Sequence, residues 1–406
     1  MTNEMNEKPI VVQKYGGSSV ATIEKLETIA RRVVARQADG FGVVVVVSAM
    51  GNKTDELIRL ASQITSNPPA RELDMLLSTG ERTTMALLSI AIQKCGAESI
   101  SFTGSQSGII TNDSHSHARI ISVRPYRIQD ELARNKIVIV AGFQGTSYKN
   151  EITTLGRGGS DMTAVALAGA LSAVSCEIYS DVDGVYTADP KVVIDAKKLD
   201  ELSSAEMLEM AQHGAKVLHD EAVLYAHRHQ IALYAKKSHV DNSSGTLIRP
   251  DGWPDFVLNA AEIRPSAIVT AKKVLWISGT VADSQRILDQ IQSWDGIKIM
   301  DMVLSASHIE VLMDIWNCTD EKAFFECLQD VGDPIVFRTD VKNVTVIGQD
   351  LGRQIPFIQK MRHALMDNQV EVLSMFTQPN AITVVVDSAS CGKASVVLHA
   401  FVTGDA

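Results

Sequence analysis

From Ile10 to about Ile248, short aliphatic runs alternate with longer amphipathic stretches. The aliphatic runs are strand-sized and mostly apolar, which is typical of a parallel sheet buried on both faces; they cover residues 43–47, 137–141, 176–180 and 231–235. The amphipathic stretches repeat apolar residues at spacings of three and four, which predicts helices over residues 23–36, 82–94, 162–171 and 205–212. We therefore expect a layered α/β domain.

A change of pattern near Arg249 predicts a linker, because Pro250, Gly252 and Pro254 interrupt any regular element. After the linker, one order of elements, βαββα, occurs twice. The first copy is predicted at residues 274–278, 284–294, 297–303, 309–315 and 322–329, and the second at residues 344–348, 355–368, 370–376, 382–387 and 392–401. Such a tandem repeat favours a pair of regulatory units without chemistry of their own. The predicted domains cover residues 8–250, 265–335 and 340–406.

Composition narrows the class of protein. Hydrophobic residues make up 45% of the chain and charged residues 21%, and no apolar run approaches the roughly 20 residues of a membrane span. Residues 1–8 lack the pattern of a secretory signal, so we expect a cytoplasmic protein without a membrane partner. The net charge of -10, without a basic run, disfavours nucleic acid as a partner.

Cysteines and histidines give no metal pattern. The five cysteines are scattered without a C-x-x-C pair, which argues against a disulfide framework and a structural zinc site. Closely spaced histidines occur as His115/His117 and His227/His229, and residues two apart converge poorly on one ion. We therefore expect no histidine-bound metal.

The most informative segment reads TTLGRGGSD, from Thr153 to Asp161, and precedes a predicted helix. Its three glycines let backbone N–H groups approach an anion, and a helix N-terminus adds a favourable dipole. Arg157, Ser160 and Asp161 add a fixed cation, a hydroxyl and a carboxylate. The segment is suited to hold a carboxylate or phosphate group, and a glycine-rich turn before an ordinary core helix is the alternative interpretation.

Other polar residues follow the predicted strands. Lys14 follows the first apolar run and precedes a predicted helix, so its ammonium group is expected at the sheet edge where open α/β sheets bind ligands. Gly16 and Gly17 allow the backbone to approach phosphate oxygens closely. Ser48 and Thr54 follow residues 43–47, where they either bond a substrate or cap the next helix.

The motif STGER brings Glu81 to the predicted start of a helix. A carboxylate there is either a partner of the helix dipole or the acceptor of a substrate ammonium group.

A turn-rich acidic segment, SDVDGVYTADPK, follows residues 176–180. It is either a surface loop or a nucleotide site, in which Asp181 orients magnesium or ribose, Tyr186 stacks on a base and Lys191 meets a phosphate. Lys216 adds a cation after another predicted helix. For Lys14 and Lys216, a merely solvated lysine is the alternative.

Taken together, five motifs resemble those of the aspartate kinases in the amino-acid kinase family, in order and spacing; they are KYGGSSV, STGER, TTLGRGGSD, SDVDGVYTADP and KVL. The resemblance covers essentially the whole chain, because the tandem repeat resembles the family's two ACT domains. The sequence has neither the G-x-x-x-x-G-K-[ST] phosphate loop nor the H-R-D and D-F-G motifs of protein kinases. The resemblance implies an αβα sandwich with a mainly parallel sheet, followed by two ACT-like βαββαβ units that form a homodimer or higher homo-oligomer.

By resemblance, the reaction transfers the γ-phosphoryl group of ATP, with Mg²⁺, to the β-carboxylate of L-aspartate, at the entry to lysine, threonine and methionine synthesis. Lys14 is implied to neutralise the transferring phosphoryl group, and Asp161 to organise Lys14. Arg157 is implied to fork onto the aspartate α-carboxylate, and Glu81 to meet the α-ammonium group. Further substrate contacts are implied for Ser48, Thr54, Phe143 and Ser160, and nucleotide contacts for Gly16, Gly17, Ser180, Asp181, Tyr186, Lys191, Lys216 and Val217.

The chain also departs from the family pattern. Lys191 stands where the family commonly has arginine, and His219, Asp220 and Glu221 make the edge after KVL acidic, so we expect weaker ATP binding. The ACT-like loops at residues 280–285 and 349–352 lack the family's Asp-x-Pro-Gly turn, so we expect weak or absent feedback inhibition by lysine or threonine. Two alternatives stay open: an amino-acid kinase for another carboxylate or carbamate, and an inactive regulatory protein containing ACT domains.

Overall fold

The structure is a computed structural model of the chain and describes residues 8–240, 243–250, 265–280, 282, 284–294, 296–318, 320–329 and 336–404. Parts of three sequence interpretations lie outside the described residues, namely residues 1–7, the linker residues 251–254, and residues 281 and 283 of the first ACT-like loop. The chain divides into two compact units. The first contains residues 8–185, 199–205 and 217–250, and the second contains residues 186–198, 206–216 and the described residues from 265 onward.

The first unit is built on a mainly parallel sheet. Its strands are β1 (Ile10–Tyr15), β2 (Gly42–Val47), β3 (Ser99–Phe102), β4 (Ile109–Thr111), β5 (Ile120–Val123), β6 (Ile137–Ala141), β7 (Gln144–Ser147), β8 (Ile152–Thr154), β9 (Ser175–Ser180), β10 (Glu201–Ser203), β11 (Leu233–Lys237) and β12 (Thr246–Arg249). An eight-stranded sheet has the order β10-β12-β11-β9-β1-β2-β6-β3, and β11–β12 is its one antiparallel pair. A smaller mixed sheet has the order β5-β4-β7-β8.

Helices cover both faces of the large sheet, as expected for strands that are apolar on both sides. The helices of this unit are α1 (Ile23–Ala38), α2 (Lys53–Ile64), α3 (Ala70–Lys94), α4 (Tyr126–Ala133), α5 (Gly159–Ala170) and α7 (Asp220–Arg228). Side chains of α1 and α3, such as Leu26 and Leu88, pack with Val11, Val43 and Val45 of the sheet. Because successive strand residues point to opposite faces, the contact of α5 with β1, β2 and β9 covers the other face. The predicted αβα sandwich is confirmed.

The second unit contains two four-stranded sheets of the predicted ACT-like kind. Its elements are α6 (Ser204–Gln212, from Glu206 onward), β13 (Ala267–Val269), β14 (Val274–Thr280), α8 (Ser284–Gln292), β15 (Lys298–Leu304), β16 (His308–Asp314), α9 (Glu321–Gln329), β17 (Val336–Arg338), β18 (Val341–Ile347), α10 (Ile355–Asp367), β19 (Ser374–Gln378), β20 (Ala381–Asp387) and α11 (Cys391–Thr403). The sheet orders are β15-β16-β14-β17 and β13-β18-β20-β19. The first copy therefore has the order βαββαβ, whereas the second takes its fourth strand from β13, which precedes both copies.

Two predicted elements have starts that differ from the structure by more than three residues. The helix predicted at residues 82–94 is the second half of α3, which begins at Ala70 and runs through Gly80. Gly80 does not break the helix, because it packs against Ala49, where an added Cβ would lie 2.8 Å from the Ala49 Cβ. The strand predicted at residues 370–376 is β19, which begins at Ser374, because the Val370 N–H still donates to Leu365 O at the end of α10.

No helix in the described part of the chain is both long enough and apolar enough to span a bilayer.

Candidate active site

The carboxyl ends of adjacent parallel strands meet at one edge of the large sheet. The register pairs Tyr15 with Val47 and with Tyr179, and Val47 with Ala141. The segments that follow β1, β2, β6 and β9 therefore leave from the same edge, where open α/β sheets bind ligands. Predicted site residues on or after these strands are Lys14, Gly16, Gly17, Ser48, Phe143, Ser180 and Asp181.

Lys14 and Asp161 meet at this edge. The Lys14 Nζ lies 2.6 Å from Oδ1 of Asp161, which is in the first turn of α5. The two side chains retain only 12% and 13% of their exposure. An ion pair so shielded from water holds the ammonium group in a fixed place, and electrostatic interactions with a bound phosphate are strong in such a setting. The structure thus brings the two predicted catalytic residues into direct contact.

The glycine-rich loop joins β8 to α5 and adopts left-handed backbone conformations. Gly156 and Gly158 have φ of 75° and 71°, which L side chains rarely adopt. Gly158 is the N-cap residue of α5, and a Cβ on it would overlap the His219 ring. Arg157 lies between them, is exposed, and makes no hydrogen bond or ion pair with the residues that the structure describes. The loop therefore presents an available guanidinium group beside a helix N-terminus.

Gly17 allows the segments after β1 and β2 to approach each other. The Gly51 N–H donates to Gly17 O at 3.0 Å, and a Cβ on Gly17 would lie 3.0 Å from Ala49 O. The Ser48 N–H donates to Tyr15 O at 3.1 Å. These contacts hold the residues after the two strands side by side.

Glu81 lies in the middle of α3, so the prediction that it stands at a helix start is wrong. Its side chain is buried, and Oε1 accepts a hydrogen bond from the Ala49 N–H at 3.1 Å. The other oxygen, Oε2, is buried without a hydrogen-bond partner among the described residues. Burial raises the pKa of Glu81 from its ordinary 4.5 to about 7, although hydrogen bonds from backbone N–H groups act in the opposite direction. A buried carboxylate with one unpaired oxygen is suited to receive a cationic group.

Phe143 and Ser160 come together at the N-terminus of α5. Phe143 has φ of 69°, and its N–H donates to Thr163 Oγ1 at 3.1 Å. A Cβ on Gly142 would lie 2.9 Å from Ser160 Oγ, so the segment after β6 lies directly on the first turn of α5.

Thr54 lies in the first turn of α2 and does not cap it. The N-cap residue is Asn52, whose side chain makes no capping hydrogen bond. The capping interpretation is therefore wrong for Thr54, and its contact with a substrate stays a prediction.

The residues predicted to contact the nucleotide fall into both compact units. The first unit holds Gly16, Gly17, Ser180, Asp181 and Val217, and the second holds Tyr186, Lys191 and Lys216. Within the second unit, Lys191 is exposed and the Lys216 Nζ lies 4.4 Å from the centroid of the Trp316 ring. Their roles toward a nucleotide stay predictions. Among the described residues, no group of three or more His, Cys, Asp or Glu side chains is placed to hold a metal ion.

The acidic edge after KVL has a structural explanation in the first unit. Asp220 and Glu221 lie in the first turn of α7, where carboxylates interact favourably with the helix dipole. His219 is the N-cap residue of α7, and its Nδ1 lies 3.4 Å from Oδ1 of Asp220. These carboxylates stabilise the start of α7.

A buried carboxylate that the sequence section does not name supports the segment before the glycine-rich loop. Asp74 of α3 is fully buried and accepts hydrogen bonds from His115, Ser116 and Thr154. Its signal was its spacing from Ser78 and Glu81, because polar residues at i, i+4 and i+7 share one helix face. All three side chains on that face are buried.

The parallel sheet carries an ion-paired lysine and a glycine-rich loop at one edge, an arrangement suited to a kinase of small anionic molecules. Comparison with known proteins narrows that class. Residues 9–235 match the amino acid kinase family. The aspartokinase of Mycobacterium tuberculosis is 41% identical over 413 residues, covering 96% of this chain and 95% of that protein. The aspartokinase of Corynebacterium glutamicum is 40% identical over 406 residues, with the same coverage of 96% and 95%. The chain therefore belongs to the amino acid kinase family, among its aspartokinases.

A solved structure supports the fold. E. coli aspartokinase III in complex with aspartate and ADP matches with a TM-score of 0.78, covering 97% of this chain and 100% of that chain, at 23% sequence identity.

Proposed function

We propose that this chain transfers the γ-phosphoryl group of Mg·ATP to the β-carboxylate of L-aspartate, giving 4-phospho-L-aspartate and ADP. It is an ATP-dependent kinase with a carboxyl acceptor, because it belongs among the aspartokinases. The observation that carries the choice of substrate is Glu81, whose unpaired, buried Oε2 suits the ammonium group of an amino acid.

The step needs positioning and charge neutralisation more than proton transfer. A β-carboxylate oxygen attacks the γ-phosphorus, a new P–O bond forms as the bond to the ADP oxygen breaks, and ADP leaves with that electron pair. No general base is required, because the acceptor is already ionised. Lys14 neutralises charge on the transferring group, and Asp161 keeps the lysine in place through the 2.6 Å ion pair. Mg²⁺ enters with the nucleotide, since such ions are held largely by substrate phosphates.

Arg157 and Glu81 distinguish an α-amino acid from other carboxylates. A free guanidinium group can bind the α-carboxylate with two parallel hydrogen bonds, which a lysine cannot do. Glu81 receives the α-ammonium group and is ionised in doing so, because a nearby cation favours the charged carboxylate. Ser48, Thr54, Phe143 and Ser160 are proposed as further substrate contacts.

The test is ADP release with a panel of acceptors under Mg·ATP. L-aspartate should support turnover, whereas L-glutamate and N-acetylglutamate should not. Turnover with either of those acceptors at the rate seen with aspartate would favour a kinase for another carboxylate. No turnover with any acceptor would favour an inactive regulatory protein.

We also propose a biosynthetic role with reduced feedback. The product stands at the entry to lysine, threonine and methionine synthesis, and the cytoplasm is the expected location. In the second ACT-like copy, Asp350 is left-handed with φ of 51° and precedes a short helical turn at Leu351–Arg353, in place of an Asp-x-Pro-Gly turn. A titration with lysine and threonine, alone and combined, should leave the rate nearly unchanged, and strong inhibition by either would contradict the proposal.

Self-association through the ACT-like copies is proposed as well. β15 lies at the edge of its sheet and exposes Met302, Val303 and Leu304 by 45%, 47% and 52%. An exposed apolar edge strand is a template for pairing with another chain. Sedimentation of the chain should show a dimer or larger species, and a monomer at micromolar concentration would contradict this.

A further inference from the structure

Asp74 is a fully buried carboxylate in α3 whose partners lie on two other segments of the first unit. Its Oδ2 lies 2.7 Å from His115 Nδ1. The Ser116 N–H donates to the carboxylate at 3.0 and 3.1 Å, and the Thr154 hydroxyl donates to Oδ1 at 2.6 Å. Hydrogen bonds to a charged acceptor are among the stronger ones in proteins, so this group fixes both segments firmly to α3.

The first partner segment is held in a strained conformation. Ser116 has φ of 67°, which is unfavourable for a residue with a side chain, and its N–H is one of the groups that Asp74 accepts. The following residue also contributes, because a Cβ on Gly156 would lie 3.1 Å from His117 Nδ1 and 3.3 Å from Ser116 O. The segment carrying His115 therefore lies directly against the glycine-rich loop.

The second partner segment leads into the same loop. Thr154 is the last residue of β8, three positions before Arg157, and its carbonyl accepts from the Ala118 N–H at 2.9 Å. The carboxylate of Asp74 thus supports the Arg157 loop in two ways. It bonds Thr154 in β8, which leads into the loop, and it bonds the segment that packs on Gly156.

Helix α3 carries Glu81 seven positions after Asp74, on the same buried face. One end of this face therefore fixes the Arg157 loop, and the other presents the unpaired oxygen of Glu81. The distance between Arg157 and Glu81 must match the separation of the α-carboxylate and α-ammonium groups on one amino acid.

We infer that Asp74 and His115 form a positioning pair that sets the Arg157 loop against Glu81 and so determines the affinity for the amino-acid substrate. This inference rests on the proposed function, because it takes Arg157 and Glu81 as the two groups that hold aspartate. Neither Asp74 nor His115 contacts the reacting atoms in this scheme; both act through the loop.

The test compares steady-state kinetics of variants in the full chain. Asp74→Asn and His115→Ala should raise KM for aspartate about tenfold while KM for ATP stays within about twofold, because a lost hydrogen bond to a buried charge is worth roughly a factor of ten. His115→Asn places an amide donor near the position of Nδ1 and should restore most of the affinity. The double variant Asp74→Asn/His115→Ala should have a KM for aspartate no higher than that of the poorer single variant. The two substitutions remove the same Asp74–His115 interaction, so their effects should not add.

Asp113→Asn is the matched control. Asp113 lies two residues before His115, and its exposed carboxylate pairs with Lys149 and the Tyr148 hydroxyl. This variant should keep both KM values. Thermal unfolding of each variant separates a general loss of stability from the predicted effect.

Several outcomes would overturn the inference. An unchanged aspartate KM in His115→Ala, or equal rises in both KM values, would make the pair merely structural, and so would a failure of His115→Asn to restore affinity. If Asp74→Asn does not fold, the KM values of His115→Ala and His115→Asn for aspartate still test the inference. A wild-type chain without aspartate-dependent turnover would overturn the proposed function and this inference together, whereas an active wild type with kinetically normal variants would overturn this inference alone.

Discussion

At the scale of single residues, the site combines one paired cation with two groups that are not fully paired among the described residues. Lys14 is already paired with Asp161, whereas Arg157 has no partner among the described residues and Glu81 has one unpaired oxygen. Leaving a buried polar group such as Glu81 Oε2 unpaired costs about 1–3 kcal/mol, which supports the proposed contact with an ammonium group. Arg157 is exposed to water, so its guanidinium group carries no such cost.

The raised pKa of Glu81 predicts a pH-dependent stability. The pKa is about 7 in the folded chain against 4.5 ordinarily, so the folded state binds the proton more tightly. The contribution of Glu81 protonation to the free energy of unfolding is complete below pH 4.5. It is lost as the pH rises through about 7, by roughly 3 kcal/mol in total. Glu81→Gln should remove this part of the pH dependence in urea unfolding without aspartate.

Glu72→Gln, an exposed position on the same helix, serves as the control and should keep the wild-type pH dependence. If Glu81→Gln and wild type lose stability in parallel between pH 4.5 and 8, the raised pKa is refuted.

Arg157→Lys tests the forked contact with the amino acid. The variant keeps the charge but loses the planar pair of donors, so KM for aspartate should rise about tenfold with a fall in kcat, while nucleotide binding stays nearly intact. Arg134→Lys, at an exposed surface pair with Glu131, is the control and should behave as wild type. Equal losses of affinity for aspartate and for ATP would mean that Arg157 does not bind the amino acid specifically.

At the scale of elements, close packing between α3 and the segment after β2 decides the geometry of Glu81. Gly80 is in the helix interior, where Gly→Ala normally stabilises by about 0.5–1 kcal/mol. Here a Cβ would lie 2.8 Å from the Ala49 Cβ, so Gly80→Ala should instead destabilise by about 1–3 kcal/mol and raise KM for aspartate, since the Ala49 N–H that bonds Glu81 must shift.

Gly392→Ala is the matched control, because Gly392 lies in α11 with no atom within 4 Å of a Cβ, and it should not destabilise. A Gly80→Ala chain as stable as this control would show that α3 and Ala49 are not packed closely.

Local sequence signals predicted the long strands and helices well, and failed where tertiary packing decides. The five valines of β2 and the apolar run of β6 give strong patterns, and both strands formed where expected. The start of α3 was missed because Gly80 looks like a helix break, and its tolerance depends on Ala49, a neighbour that is distant in sequence. β13 and β17 have only three residues each, too few for a periodic signal.

At the scale of the whole molecule, the repeated ACT-like order could be predicted because each copy has its own alternation of strands and helices. Sequence motifs also located candidate residues at the sheet edge, since parallel strands bring their carboxyl ends together. What pattern analysis could not supply was the grouping of residues 186–198 and 206–216 with the second unit, which arises from long-range packing. Ala188 and Val193, for example, join a core with Val344 and Leu398.

The chemical identity of the product decides whether the chain phosphorylates the β-carboxylate of aspartate. Wild-type chain, Mg·ATP and L-aspartate should be incubated with hydroxylamine, which traps an acyl phosphate as a hydroxamate. We expect β-aspartyl hydroxamate in an amount equal to that of ADP, and neither product from Lys14→Met. ADP formed without hydroxamate, or undiminished hydroxamate from Lys14→Met, would contradict that expectation.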